Sequence, residues 1–130
     1  MIRELWKLPF PSSGAVDARF VELIGQGCAV VFANTLQDGR DNSLALVFTG
    51  VQAFTVTYLH AITPRKEAYD TLVDLGQTEW LTEIKSRMTR HGDDPSELLH
   101  LMILFDDGPC YELICSAFRI EQPARLVHFN

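Results

Sequence analysis

Two apolar runs, 98–105 and 110–120, dominate the last third of the chain, and Asp106-Asp107-Gly108-Pro109 separates them. Turn-forming residues between hydrophobic runs predict a β-hairpin. Both arms are apolar on both faces, so the hairpin is expected inside a sheet with a layer packed over it. Further upstream, 28–33 (CAVVFA) is a continuous β-branched run, a polar turn follows at 37–42, and 44–48 resumes the strand pattern. These segments predict a first hairpin. At 54–58 apolar and polar residues alternate, with Phe54, Val56 and Tyr58 on one face and Thr55 and Thr57 on the other. That period of two predicts a strand with its aromatic face toward the core and its threonines partly wet. Residues 20–24 fit a strand or a short helix. For 63–76, Thr63-Pro64 suits a helix start, while an irregular strand is the alternative.

One helix stands out at 78–91. Thr78 suits an N-cap, and Glu79 lies in the first turn, where the helix dipole favours negative charge. Trp80, Leu81, Ile84 and Met88 form an apolar stripe expected to cover one sheet face, with Glu83 and Arg87 as an i, i+4 pair. Gly92 and Pro95 end the helix. The resulting expectation is an α+β fold: a single largely antiparallel sheet of about five to seven strands, with this helix packed on a face. A segment at 125–129 is a candidate edge strand.

Pro109 lacks an N–H and fits poorly as the residue closing a two-residue turn. We therefore expect a four-residue loop over 106–109, with Phe105 opposite Cys110. That register puts Leu104–Tyr111, Met102–Leu113, His100–Cys115 and Leu98–Ala117 on one face. Ile103–Glu112, Leu101–Ile114 and Leu99–Ser116 fall on the other.

Four side chains near this hairpin are candidate binding residues: Glu112, Cys110, Tyr111 and His100. A carboxylate among Ile103, Cys110 and Ile114 has its proton affinity raised and can serve as a general acid or base. The plainer reading sends Glu112 to solvent or to an arginine. His100 opposite Cys115 can be read as a base activating a thiolate, or as a core histidine with its nitrogens satisfied. A one-residue slip would separate each of these sets. Tyr111 and Trp80 are aromatics able to shape a pocket, although Trp80 also fits a helix-to-sheet anchor.

Composition narrows the function classes. The 130 residues fit one domain spanning 1–130. The net charge of −6 and the scattering of eight arginines from Arg3 to Arg125 argue against nucleic acid, and the mild acidity fits a soluble protein or one whose partner is basic. Three cysteines (Cys28, Cys110 and Cys115) with no C-x-x-C pair argue against a disulfide framework or zinc. His60, His91, His100 and His128 have no metal-ligand spacing, so neither metal nor cofactor is expected. The start, MIRELW, lacks a signal-peptide core, and no run approaches the ~18 apolar residues of a membrane span. These features point to a cytoplasmic protein with no membrane partner.

From Tyr69 to Ile120, YDTLVDLGQTEWLTEI and then LLHLMILFDDGPCYELICSAFRI resemble small uncharacterised bacterial proteins. Those proteins pair a D-x-E-W-L style helix start with a terminal hairpin ending in C-Y-E. Some of this general build are presumed immunity or accessory components of toxin systems. The resemblance implies a stand-alone interaction protein and brings no catalytic residues. The expected function is therefore a non-enzymatic protein-interaction module, with a toxin or a second copy of the chain as partner. The alternative is a small-molecule binder or enzyme using a pocket near the 98–120 hairpin.

Overall fold

The apolar runs and the alternating segment all become strands in the computed structural model. It describes residues 2–9, 17–23, 28–37, 40–58, 68–105 and 109–121, with only the backbone described for those between 17 and 43. The elements are β1 (Arg3–Lys7), β2 (Asp17–Leu23), β3 (Cys28–Gln37), β4 (Arg40–Thr49), β5 (Ala53–Tyr58) and β6 (Thr71–Asp74). After these come α1 (Glu79–Arg90), β7 (Leu99–Leu104), β8 (Pro109–Cys115) and β9 (Ala117–Glu121). Every pairing between these strands is antiparallel, and the α+β class with one main helix on a sheet holds.

The nine strands form two sheets rather than the single one expected: β1-β6-β7-β8-β5 and β2-β3-β4-β9. The physical reason lies at two crossings. β4 runs into β5 through Gly50, and β8 runs into β9 through Ser116, so each connection leaves one sheet for the other. Thr49 pairs with Ala117 on one side of the corner, and Ala53 pairs with Ile114 on the other. Three residues (50–52) thus oppose two (115–116), and an extra residue on one strand bends a ribbon sharply. Gly50 has φ 63°, and a Cβ built on it would lie 2.3 Å from Ser116 Oγ and 2.8 Å from its Cβ. The hydrogen bonds Ser116 N–H to Thr49 O (3.0 Å) and Gln52 N–H to Ile114 O (2.8 Å) tie the two crossings together.

Between the sheets lies the main core. Leu72, Leu101, Ile103, Phe105, Tyr111, Leu113 and Cys115 of the first sheet meet Leu46 and Phe48 of the second, with Phe118 and Ile120 at its margin. Each fully buried side chain of this size contributes about 1.5–3 kcal/mol relative to exposure. On its other face the first sheet carries α1: Leu81 packs on Leu98 and Ile114, with Trp80, Ile84 and Met88 around them. The helix begins at the Thr78 cap, whose hydroxyl accepts from Leu81 N–H at 3.2 Å. It ends with Asp93 N–H on Met88 O and Gly92 N–H on Thr89 O, with Gly92 at φ 84°. That pairing, with a left-handed glycine, is the Schellman ending. Glu83 and Arg87 form the expected ion pair.

Several expectations are corrected. Leu104 pairs with Cys110, and the ladder continues through Ile103↔Tyr111, Met102↔Glu112, Leu101↔Leu113, His100↔Ile114 and Leu99↔Cys115. This is one residue away from the expected register. Pro109 contributes its carbonyl, which accepts from Phe105 N–H at 3.3 Å, so its missing N–H is not asked to close the loop. The second arm leaves β7 at Ser116, so Leu98 and Ala117 do not pair. On β5 the alternation is real and the aromatic face is on the inter-sheet side, but the exposures are reversed. Phe54, Val56 and Tyr58 are 37%, 41% and 67% exposed, while Thr55 and Thr57 are half-buried.

Within 63–76, residues 71–74 are the strand β6, and residues 3–7 form an edge strand the pattern did not announce. The Thr63-Pro64 helix start, the 125–129 strand and residues 106–108 lie outside the described residues. Among the described residues, no helix is long and apolar enough to cross a membrane.

Gly50→Ala is expected to lower stability in urea unfolding by about 2–4 kcal/mol, adding left-handed backbone strain to a clash. Replacing Ser116 by Gly in the same chain should recover the clash part, about 1–2 kcal/mol, and leave the strain. Additive losses in the double variant would contradict the close approach.

Candidate functional site

His100 stands on β7 with its side chain on the helix-bearing face of the sheet, and it is 4% exposed. The observed register sets Met102 opposite Glu112, which places Glu112 diagonally from His100 on the same face. His100 Nε2 and Glu112 Oε1 lie 3.0 Å apart, and His100 Nδ1 lies 2.6 Å from Thr78 Oγ1. An ionised carboxylate only accepts, so the proton at the glutamate contact sits on Nε2, and in the neutral ring Nδ1 then accepts from the Thr78 hydroxyl. Thr78 Oγ1 in turn accepts from Leu81 N–H. The chain Leu81 N–H, Thr78 hydroxyl, His100 ring and Glu112 carboxylate is therefore consistent in direction at each step. Trp80 meets the imidazole edge-on, with ring centroids 5.2 Å apart and planes at 81°.

This arrangement joins the helix cap to the sheet. It supplies both ring nitrogens of a buried histidine with partners and leaves Glu112 with 21% of its side chain exposed. On the neighbouring edge strand, Thr55 is the Cα partner of Glu112 and Thr57 that of Cys110, and the two threonine hydroxyls are 3.1 Å apart. The open side of Glu112 is thus flanked by short polar side chains.

The four sequence candidates divide by face. Glu112, His100 and Cys110 share the helix-bearing face, whereas Tyr111 points into the inter-sheet core, where it meets Phe105 edge-on at 6.1 Å. The expected pairing of Glu112 with Ile103 and of His100 with Cys115 gives way to Met102 and Ile114. Cys115 lies on the opposite face from His100, in the inter-sheet core, so the two do not form a base–thiol pair. Cys110 packs with Met102, Leu104 and Val73. Burial pushes its thiol up to about 12, with the nearby Glu112 charge acting in the same direction. Burial also pushes Cys115 up to about 12, offset in part by a backbone hydrogen bond from Ala117. Neither is poised as a thiolate nucleophile at neutral pH.

Sequence reasoning missed Thr78 as the third member of the polar chain, because its 22-residue separation from His100 gives no local signal. Two surface cavities are lined by described residues. One of about 440 Å³ runs along the outer face of α1 past Thr78, Thr82, Ser86 and Arg90. One of about 320 Å³ lies between Gln52, Met88, Asp94, Glu97, Leu98 and Ser116. Neither is lined by Glu112, Cys110 or His100. Among the described residues, no group of three or more His, Cys, Asp or Glu side chains is placed to hold a metal ion.

The other conspicuous surface is β5 itself. Its Phe54, Val56 and Tyr58 are the large hydrophobics left exposed among the described residues. They continue the face of Leu113, Tyr111 and Pro109. No protein-family model matches the chain, and no curated protein or solved structure matches it.

Two outcomes follow from these contacts. Thr78→Val should cost about 2–3 kcal/mol in urea unfolding, from the lost cap and a buried ring nitrogen left without its donor. Thr78→Ser should restore most of that, and hydrogen exchange should localise the Val effect to the start of α1. A loss for Thr78→Ser with none for Thr78→Val would show that the methyl group, not the hydroxyl, matters. In a Cys28→Ser background, Cys110 and Cys115 should resist iodoacetamide at pH 8 until the chain unfolds. Because the folded thiol values are raised from 9.0 to about 12, the unfolded state releases these protons first. Stability should hold below pH 9 and fall as pH rises between those values.

Proposed function

We propose that this chain is a non-enzymatic protein-interaction module of the cytoplasm, of the immunity or accessory type. The observation that carries the reading is the apolar stripe Phe54, Val56 and Tyr58, exposed along an uncharged edge strand. Exposed apolar side chains gathered on one element mark association surfaces, whereas single scattered ones do not. Interface cores are enriched in aromatic residues and depleted of charge, as β5 is.

The net charge of −6 adds a second support. It draws a basic partner in from a distance and speeds encounter, which suits neutralisation of a toxin with a basic working surface. The resemblance of residues 69–120 to small uncharacterised bacterial proteins, some of them presumed immunity or accessory components of toxin systems, supports a partner of that class. In this reading the Thr78–His100–Glu112 chain serves the scaffold by holding α1 against the sheet, and Glu112 is the member that faces outward.

Co-expression with the product of the neighbouring gene tests the proposal. The expected result is a gene product that is toxic alone, neutralised in the presence of this chain, and recovered with it as a complex of fixed stoichiometry. Absence of a stoichiometric complex with that product and with any soluble protein of the source cells would overturn it.

A further inference from the structure

The two edges of the first sheet are built differently. β1 presents exposed Arg3, Glu4 and Lys7 and shifts register between Glu4 and Trp6. Charges and irregularities of this kind stop an edge from pairing with a foreign strand. β5 (AFTVTY) has no charge, no proline and an unbroken register with β8 from Ala53↔Ile114 to Tyr58↔Pro109. Among the described residues, β8 is its neighbour on one side and no strand flanks the other. One sheet thus protects one edge, while along Val56 and Tyr58 the other has no strand beside it among the described residues.

The two faces of β5 specify what would pair there. On the inter-sheet side Val56 and Tyr58 are exposed, and a neighbouring strand would cover them with apolar side chains. On the helix-bearing side stand the short Thr55 and Thr57, and just beyond Thr55 lies Glu112. Oε1 of Glu112 takes the His100 contact, and a fifth of the side chain remains exposed. A strand added to β5 would lie about 10 Å from β8, two strand spacings away. A lysine or arginine on that face spans a threonine and reaches the carboxylate.

We propose that β5 receives an extended strand of a basic partner, apolar toward Val56 and Tyr58 and cationic toward Thr55, Thr57 and Glu112. The inference rests on the protein-interaction reading above and deepens it by naming the edge used and the pattern recognised. Net charge and the Glu112 carboxylate favour this occupant over a second copy, which would bring another −6 to the same edge.

The test uses the full chain and the peptide Val-Lys-Val-Lys-Val-Lys-Val, followed by NMR and hydrogen exchange. A block isomer (four Val, then three Lys) and an alternating Val-Glu peptide are the controls. The alternating basic peptide should bind saturably and protect the amides of β5. It should bind at least about tenfold more tightly than either control, because register and charge both favour it. Glu112→Gln keeps an oxygen for His100 and should weaken the basic peptide about twofold to fivefold, as expected for one part-exposed ion pair. Val56→Lys should abolish binding while leaving the unfolding midpoint unchanged.

Four results would each overturn the proposal: no saturable binding, protection elsewhere than β5, equal affinity for the acidic peptide, or a β5-paired dimer of the protein alone. A cognate complex that Val56→Lys forms as tightly as the unmodified chain would remove the strand-addition inference and leave the interaction reading standing. A complex formed by neither would remove the reading itself.

Discussion

The corner at Gly50 and Ser116 is the constraint on which the architecture depends. β4–β5 and β9–β8 form one antiparallel ribbon, bent where three residues oppose two. A ribbon bent there belongs to two sheets at once, so the inner faces of both are held against each other by the chain itself. Leu46 and Phe48 are thereby placed opposite Leu101, Ile103 and Leu113. The bend needs a backbone in the left-handed region and two strands in near contact. Only a glycine at position 50 meets both needs without displacing Ser116.

A second dependence runs from the hairpin to the helix. The β7–β8 register decides which of two sets of side chains faces α1, since a shift of one residue exchanges the faces of one strand relative to the other. In the observed register the helix side receives His100, Met102 and Leu104 with Cys110, Glu112 and Ile114. Leu81 then closes on Ile114 and Leu98, and the cap of the helix that carries Leu81 hydrogen-bonds to His100. Apolar packing and a polar chain therefore act on the same element. The first gives most of the stabilisation, and the second fixes where along the strand the helix begins.

The same register links scaffold to surface. Glu112 is held by a buried histidine on one side and opens beside Thr55 on the other. Its position next to the uncharged edge follows from the ladder that also places Tyr111 and Leu113 in the core. Along the inter-sheet face β7 and β8 are buried, whereas Val56 and Tyr58 on the edge strand are exposed. A face patterned to be buried is thus left outside, and that mismatch is what distinguishes β5 from the protected edge at β1.

The chain's own pattern specifies the elements whose signals are local. Thr78, the Trp80–Met88 stripe and Gly92 specify the helix, cap to cap, because capping and periodicity act within a few residues. The runs at 28–33, 44–48, 98–105 and 110–120 specify strands, and alternation specifies β5. It also placed Glu112 and His100 among the residues to watch, since a carboxylate and an imidazole inside apolar runs demand partners. Which partners those are follows from contacts distant in the chain. Register depends on loop geometry around Pro109, sheet membership on a bulge at Gly50, and the Thr78–His100 contact on a separation of 22 residues. The faces of β5 show the limit most plainly: alternation reveals that a strand has two unlike sides, but which side is covered depends on how far the neighbouring layer extends.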